Sequence, residues 1–181
     1  HQLDAMQWMV GMPSKVNSQV GIGKWHDIEV EDDVSCYMEF PDGATGLFLT
    51  STGETPGSNR LEIAGTKGRL LLENDRLIFT RNEVPSDEWC KTSKIGFKQP
   101  ETTVEEIDIP GAEAPHSILM TNFTNAILKG ENLIAPGEEG LGSVELANAM
   151  LYSGLLEGPL ELPMDGSAWE EKLNELIAGS T

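Results

Sequence analysis

The stretch VSCYMEF-PDG-ATGLFLTST, residues 34–52, decides the fold. Its first strand alternates in polarity, and one face carries Val34, Cys36, Met38 and Phe40. Such alternation predicts a strand that is buried on one side. PDG at 41–43 predicts a turn, because proline presets one backbone dihedral and glycine accepts a positive φ. The stretch therefore predicts an antiparallel hairpin with one face in a core.

The other face of this hairpin is predicted to be a mixed surface. We expect the sets that contain Val34 and Leu47 to face inward. The outer face then carries Ser35, Tyr37, Glu39, Phe48 and Thr50. A surface of aromatic and polar side chains is typical of association interfaces, so the pattern predicts a homo-oligomer that uses this face. A monomer with a solvated sheet face is the alternative.

Further elements are predicted on both sides of the hairpin. A helix at 1–10 ends before Gly11 and Pro13. Strands are predicted at 15–23, 61–65, 69–74, 75–81 and 103–110, with a polar, aperiodic loop at 82–101. Helices are predicted at 116–130, at 138–158 and after a cap at Asp165 or Ser167. This order predicts an α+β fold, an open-faced, mostly antiparallel sheet with helices on one face, in one domain of residues 1–181.

The apolar stripes of the later helices are predicted from spacings of three and four residues. In the helix predicted at 116–130 the stripe contains Leu119, Phe123, Ala126 and Ile127. In the helix predicted at 138–158 the stripe contains Leu141, Val144, Asn148, Leu151 and Leu155. We expect Asn148, as a polar member of a buried stripe, to be hydrogen-bonded in the core.

Composition excludes several classes of partner. The net charge is −18 and the 12 basic residues are scattered, whereas phosphate binding depends on Lys and Arg, so we expect no nucleic-acid partner. No apolar run approaches the roughly 18 residues of a membrane span, so we expect no membrane partner. Cys36 and Cys90 form neither a disulfide framework nor a metal site. This suits a reducing compartment, and we expect a cytoplasmic location.

His1 is the first candidate for chemistry. It lies three residues before Asp4 on the opening helix, where side chains at that spacing are neighbours. A carboxylate there can orient an imidazole that serves as a general base. The alternative is a surface histidine beside an ordinary helix-start acid. Because the helix has neither a cap nor a lead-in, we expect further residues upstream.

Asp4 is also a candidate for substrate binding, and three other residues are candidates for the same role. Glu54 and Arg60 lie in a Gly/Pro loop at a strand end, and such loops carry binding groups. The Arg60 guanidinium can contact a carboxylate or an array of hydroxyls, although a surface salt bridge is the alternative. His116 shares a helical face with Met120 and Phe123, so either a ligand contact or a partly buried histidine is expected.

No motif predicts a metal or dinucleotide site in this chain. His26 precedes Glu29 and Glu31, but on a strand it would lie on the face opposite to these acids. GIGKWH at 21–26 lacks the third glycine of G-x-G-x-x-G and does not lead into a helix. We therefore expect neither a metal nor a bound dinucleotide among these residues.

Several stretches together resemble one known family. HQLDAMQWMVGMP (1–13) resembles the His-x-x-Asp helix that opens the second domain of the Gfo/Idh/MocA family of sugar and inositol oxidoreductases. The chain resembles that domain's central sheet at HDIEVED (26–32), FPDGATG (40–46) and STGETPGSNRLEIAGTKGRLLLE (51–73). Its C-terminal helices are resembled by NFTNAILKGENLIAPGEEGLGSVELANAMLYSG (122–154) and LELPMD (160–165). The resemblance covers nearly the whole chain.

The resemblance implies that residues 1–181 are the second domain of a Rossmann-type dehydrogenase. The first domain, absent from this chain, would bind NAD or NADP. His1 would match the catalytic histidine of an Asp-x-x-x-His segment, and Asp4 the helix acid after it. His1 would take a hydroxyl proton during hydride transfer from a sugar or polyol, aided by a lysine of the missing domain. The family also implies a homodimer or homotetramer built on the open sheet face.

Two other functions stay open. One is a non-catalytic sheet module for ligand binding or oligomerisation, because this chain holds no dinucleotide fingerprint. The other is glycoside hydrolysis that uses NAD transiently, as in a few members of the family. Under each of these interpretations the isolated chain is expected to be inactive as a dehydrogenase.

Overall fold

The structure, a computed structural model, describes residues 1–108 and 115–180, and it divides into two compact units. The first unit consists of His1–Thr55 and Ile118–Thr181, and the second of Pro56–Ser117. The helices are α1 (Gln2–Val10), α2 (Ser86–Thr92), α3 (Pro115–Lys129), α4 (Gly140–Leu156) and α5 (Gly166–Gly179). The strands are β1 (Lys15–Ile22), β2 (Glu31–Glu39), β3 (Thr45–Ser51), β4 (Arg60–Gly65), β5 (Gly68–Glu73), β6 (Arg76–Asn82), β7 (Thr102–Ile107) and β8 (Leu160–Glu161).

The first unit is built on an antiparallel sheet with the strand order β3-β2-β1-β8. The second unit holds a separate antiparallel sheet with the order β4-β5-β6-β7. Together with five helices these open sheets make an α+β fold, which confirms the predicted class. Residues 109–110 of the strand predicted at 103–110 lie outside the described residues.

The hairpin at 34–52 is confirmed, but the faces of its second strand are the reverse of the prediction. Cys36 lies opposite Phe48, and Tyr37 lies opposite Leu47. Residues that face each other across an antiparallel pair share a side of the sheet. Phe48 therefore packs against the core with Cys36, while Leu47 and Leu49 are 73% and 70% exposed on the side of Tyr37.

The core of the first unit lies between this sheet and α4. Its buried members are Val16, Cys36, Met38, Phe40, Leu146, Ala149 and Met150. The alternation predicted for 34–40 therefore matches the observed burial. Ser153 is also buried, and its Oγ accepts a hydrogen bond of 3.0 Å from the Ser18 N–H and donates one of 2.7 Å to the Gly158 carbonyl.

The face of α4 that meets the sheet is not the predicted one. Leu141 and Val144 of the predicted stripe are exposed, and Asn148 is only partly buried. The buried face instead carries Leu146, Ala149, Met150 and Ser153. Small residues bring the helix close to the sheet, since a Cβ on Gly154 would overlap the Val20 side chain.

The ends of the helices follow local signals. α1 ends before Gly11, whose φ of 82° a residue with a side chain rarely adopts. Asp165 caps α5, because its Oδ1 accepts hydrogen bonds from the N–H groups of Ser167 and Ala168. Trp169 is buried and packs on Tyr152 at a ring-centroid distance of 5.4 Å.

The second unit differs from the prediction in one element. The loop predicted at 82–101 contains α2, a helix of seven residues. The hairpin turn between β5 and β6 uses Asn74 and Asp75, both at positive φ, as a tight two-residue turn requires. Within the described ranges, no helix combines the length and apolarity needed to cross a membrane.

Candidate functional site

His1 stands at the exposed start of α1. It is the N-cap residue, and its carbonyl accepts a hydrogen bond of 2.9 Å from the Ala5 N–H. No side chain caps this helix end. His1 is an exposed residue of the first unit.

Asp4, one turn later, is tied to another helix. Its Oδ1 accepts a hydrogen bond of 2.9 Å from the Oγ of Ser143, on α4. The same oxygen accepts a second one, of 3.3 Å, from the Nε2 of Gln7. The first turn of α1 is thereby attached to the helix that forms the core, an attachment that spacing within α1 could not predict.

The other predicted site residues do not join this pair in the described contacts. Glu54 is exposed in the loop after β3. Arg60 opens β4 in the second unit and forms ion pairs with Glu62 and Glu73. His116 is exposed in the first turn of α3, so the prediction of a partly buried histidine is wrong.

The ion pairs of Arg60 support the surface salt-bridge interpretation of this residue. Its hydrogen bond to Glu62 raises the pKa of the guanidinium and lowers the pKa of the Glu62 carboxyl. Arg69 lies 3.9 Å from the same glutamate. Any substrate carboxylate would compete with these protein carboxylates for Arg60.

A second polar centre, missed by sequence reasoning, forms around Asp32. This residue is 4% exposed and is skipped where the β1–β2 register shifts. Its carboxylate accepts hydrogen bonds from the N–H groups of Lys24, Trp25 and His26, at 2.9, 2.7 and 2.9 Å. The β1–β2 loop is therefore folded around one buried carboxylate.

The side chains of the loop add to this centre. The Nδ1 of His26 lies 3.3 Å from Asp32 Oδ2 and 3.1 Å from Thr52 Oγ1. Asp33 accepts a 2.9 Å hydrogen bond from Trp25 Nε1 and forms a 3.0 Å ion pair with Lys24. A preceding Gly-rich bend and an Asp-Asp pair at the strand start are the only sequence signals of this arrangement.

Both aspartates have lowered pKa values, for different reasons. Burial alone would raise the pKa of the Asp32 carboxyl, but the hydrogen bonds from Trp25, Lys24 and His26 outweigh it. The pKa of Asp33 is lowered mainly by the hydrogen bond from Trp25 and then by Lys24. Hydrogen bonds to a carboxylate favour its charged form.

The Asp32 centre predicts a pH-dependent stability. The folded pKa lies below the value of about 3.9 for an unfolded aspartate. The stabilisation is therefore complete above about pH 4 and is lost as the pH falls through the folded pKa. We expect Asp32→Asn to lower the melting temperature at neutral pH and to reduce the slope of stability against pH below about 4.

Thermal unfolding followed by circular dichroism from pH 7 to pH 2 measures this effect. Asp27→Asn, the same change at an exposed position of the loop, is the matched control and should leave the melting temperature nearly unchanged. Equal melting temperatures of Asp32→Asn and the unmodified chain would contradict the assignment of Asp32 as the organising group.

The glycine-containing loop at 21–26 does not suit a dinucleotide. A pyrophosphate site needs free backbone N–H groups at a helix N-terminus. Here the N–H groups of residues 24–26 already bind the Asp32 carboxylate, and no helix follows. In the described ranges, no three His, Cys, Asp or Glu side chains form a group that could hold a metal ion.

Comparison with known proteins gives a family match over part of the chain and a fold. Residues 1–71 match the family model described as the GFO/IDH/MocA C-terminal domain. No curated protein matches the chain. Over residues 1–71 this match agrees with the resemblance that the sequence motifs indicate.

Solved structures with the same fold include dehydrogenases and oxidoreductases. The WlbA dehydrogenase from Chromobacterium violaceum, solved with NADH and UDP-GlcNAcA, has a TM-score of 0.67 and 24% identity over 91% of this chain and 44% of that one. UDP-N-acetylglucosamine 3-dehydrogenase GnnA from Acidithiobacillus ferrooxidans has a TM-score of 0.66 and 15% identity, covering 87% and 47%.

A third structure is the aldose-aldose oxidoreductase from Caulobacter crescentus, solved with glycerol. It has a TM-score of 0.65 and 18% identity, and the match covers 88% of this chain and 44% of that one. This chain thus spans less than half the length of the three proteins. At these identities the likeness concerns the fold.

Proposed function

We propose that this chain is the substrate-binding and oligomerisation half of an NAD(P)-dependent oxidoreductase that acts on a sugar or polyol by hydride transfer. The observation that carries the proposal is the family match over residues 1–71, which begins at His1 and includes α1 and the hairpin. The dehydrogenases that share the fold support it. A cytoplasmic location stays a prediction.

His1 is the residue of this chain that we assign to the reaction. Oxidation of a secondary alcohol removes a hydride from the carbinol carbon and a proton from its oxygen, leaving a carbonyl group. His1 would accept that proton as a general base, since a neutral imidazole suits this role near pH 7. The resemblance of residues 1–13 to the family's His-x-x-Asp helix supports the assignment, as does the family match that includes His1.

The nicotinamide would be held outside this chain. The N–H groups at residues 24–26 are occupied by Asp32, so this loop cannot bind a pyrophosphate as well. The proposed function therefore needs a separate dinucleotide-binding domain, which the resemblance implies. When bound there, NAD or NADP would supply the hydride chemistry, and this chain would orient the substrate.

We expect the chain of residues 1–181 to show no measurable binding of NAD(H) or NADP(H). The physical reason is the lack of free N–H groups in the loop at 21–26. Isothermal titration calorimetry measures this directly, with a longer polypeptide that includes the upstream domain as the positive control. A micromolar dissociation constant for the isolated chain would exclude the two-domain interpretation.

Turnover by that longer polypeptide tests the proposed reaction. Aldoses and polyols are supplied with NAD⁺ or NADP⁺, and formation of the reduced cofactor is followed by absorbance. Reduction with at least one substrate supports the proposal. If the polypeptide binds the cofactor but reduces it with none of these compounds, a non-catalytic module becomes the better interpretation.

The outer face of the first unit's sheet supports the oligomerisation role. Leu47 and Leu49 lie on β3, the edge strand of this sheet, on the same side as Tyr37 of the neighbouring strand β2. The same side carries polar residues farther from that edge and at the hairpin end: Lys15, Asn17, Gln19, Glu39 and Thr45. Apolar and aromatic side chains beside polar ones are typical of association interfaces. We therefore assign a homodimer or homotetramer to this face, burying on the order of 1,000 Å² or more.

We expect Leu47→Lys with Leu49→Lys to convert the oligomer into a monomer at micromolar concentration. Two charges within an interface would be desolvated without partners, a costly arrangement. Light scattering coupled to size-exclusion chromatography gives the mass. Phe48→Lys is unsuitable for this test, because Phe48 packs against the core.

Leu128→Lys is the matched control, since Leu128 is equally exposed on α3 of the same unit. It should keep the oligomer. A monomeric unmodified chain would contradict the proposed association, and dissociation by Leu128→Lys alone would show that α3 carries the interface instead.

A further inference from the structure

We propose that Ser143 of α4 is a positioning residue for His1, acting through Asp4. This inference rests on the proposed function, in which His1 is the general base. It assigns Asp4 a role within the protein, holding the first turn of α1, in place of direct contact with substrate. Neither the family match nor the sequence motifs give Ser143 any role.

The contacts of Asp4 are the first argument. Its Oδ1 accepts from Ser143 Oγ at 2.9 Å and from Gln7 Nε2 at 3.3 Å. The Gln7 bond lies within α1 and cannot orient that helix against its surroundings. The Ser143 bond crosses to α4, so it is a polar contact that relates the His1 end of α1 to the rest of the unit.

The rigidity of α4 is the second argument. One to two turns after Ser143, its buried residues Leu146, Ala149 and Met150 pack in the core against the sheet. Well-packed core side chains leave a helix little freedom to shift. A hydroxyl on this helix therefore holds the group that it binds at a fixed position relative to the sheet.

The close approach of the two helices is the third argument. A Cβ on Gly142 would lie 3.1 Å from Gln7 Oε1 and 3.4 Å from Met12 Sδ. α1 therefore passes close to the start of α4 at Gly142, next to the Ser143 that binds Asp4.

The weak packing of α1 explains why one hydrogen bond matters. None of the residues of α1 is fully buried; Leu3 and Met6 are partly buried against the core. A general base must lie within about 3 Å of its proton, and a displacement of about 1 Å can cost up to about 100-fold in rate.

The kinetic test uses the longer polypeptide that carries the dinucleotide-binding domain. We expect Ser143→Ala to lower kcat by on the order of ten-fold while KM for the sugar changes less than about two-fold. Ser143→Thr, which keeps the hydroxyl, should restore kcat to within about three-fold. Ser167→Ala, the same change on the exposed surface of α5, is the control and should leave both constants unchanged.

A double-mutant cycle tests whether Ser143 acts through Asp4. If both residues act by one hydrogen bond, Ser143→Ala with Asp4→Ala is no slower than Asp4→Ala alone. Rate losses that multiply would overturn the proposal, as would a normal kcat in Ser143→Ala. A raised KM with unchanged kcat in Asp4→Ala would also overturn it, since that result indicates substrate binding.

Hydrogen exchange tests the same coupling in the chain of residues 1–181 without any activity. The Ala5 N–H donates to the His1 carbonyl and so reports on the first turn of α1. We expect it to exchange faster in Ser143→Ala than in the unmodified chain or in Ser167→Ala. Equal exchange rates would overturn the proposal.

The outcomes separate this inference from the proposed function. If His1→Asn keeps full turnover, the proposed role of His1 fails, whatever Ser143→Ala does. If His1→Asn is impaired and Ser143→Ala has normal kcat and normal Ala5 exchange, only the positioning role fails.

Discussion

Replacing His1 with asparagine is expected to lower the turnover number of the oxidoreductase by about 100-fold or more. Loss of a general base has this usual scale. Asparagine has a polar side chain of similar reach but cannot accept a proton near pH 7.

The measurement is steady-state turnover with NAD⁺ or NADP⁺, together with cofactor binding by calorimetry. Dinucleotide affinity should stay nearly constant, since His1 is assigned to the substrate side. His26→Asn is the matched control, because His26 belongs to the Asp32 centre rather than to the proposed site. Near-normal turnover in His1→Asn would make His1 an ordinary surface residue.

Replacing Leu146 with alanine is expected to destabilise the first unit by about 2–5 kcal/mol. Leu146 is 0% exposed between α4 and the sheet. Truncation there removes buried methyl groups and leaves a cavity that its close-packed neighbours fill only in part. Such a loss is a large fraction of the stability of a typical domain, about 5–15 kcal/mol.

Urea denaturation followed by fluorescence or circular dichroism gives the change. Leu141→Ala, on the same helix at 68% exposure, is the matched control and should change the free energy of unfolding by less than about 0.5 kcal/mol. If Leu141→Ala were the more destabilising variant, the stripe predicted from periodicity would be the buried one, and the described packing of α4 would be wrong.

Local patterns in the sequence determined much of this structure. The alternation at 34–40 and the PDG turn are sufficient for the hairpin, because side-chain period and turn chemistry depend on adjacent residues. The end of α1 at Gly11 likewise follows from a local signal. The same holds for His1 and Asp4, which the spacing on one helix and the family resemblance single out together.

Contacts between distant residues decided the remainder of the candidate site. Ser143 lies 139 positions from Asp4 in the chain, and nothing near either residue indicates the other. The role of Asp32 likewise follows from the tertiary structure, because it depends on how the loop at 24–26 closes over this residue. An acid in a sequence does not show which N–H groups it will bind.

Only the tertiary structure decided which faces are buried. In β3 both sides carry apolar residues, so composition favoured the side with Leu47 and Leu49. The pairing of Phe48 with Cys36 placed the other side in the core. In α4 apolar residues occur on all sides of the helix. The face that packs on the sheet is the one with small residues, where Gly154 lies against Val20. Burial is most favourable where two surfaces fit together most closely. The sequence of one strand or helix describes only one of these two surfaces.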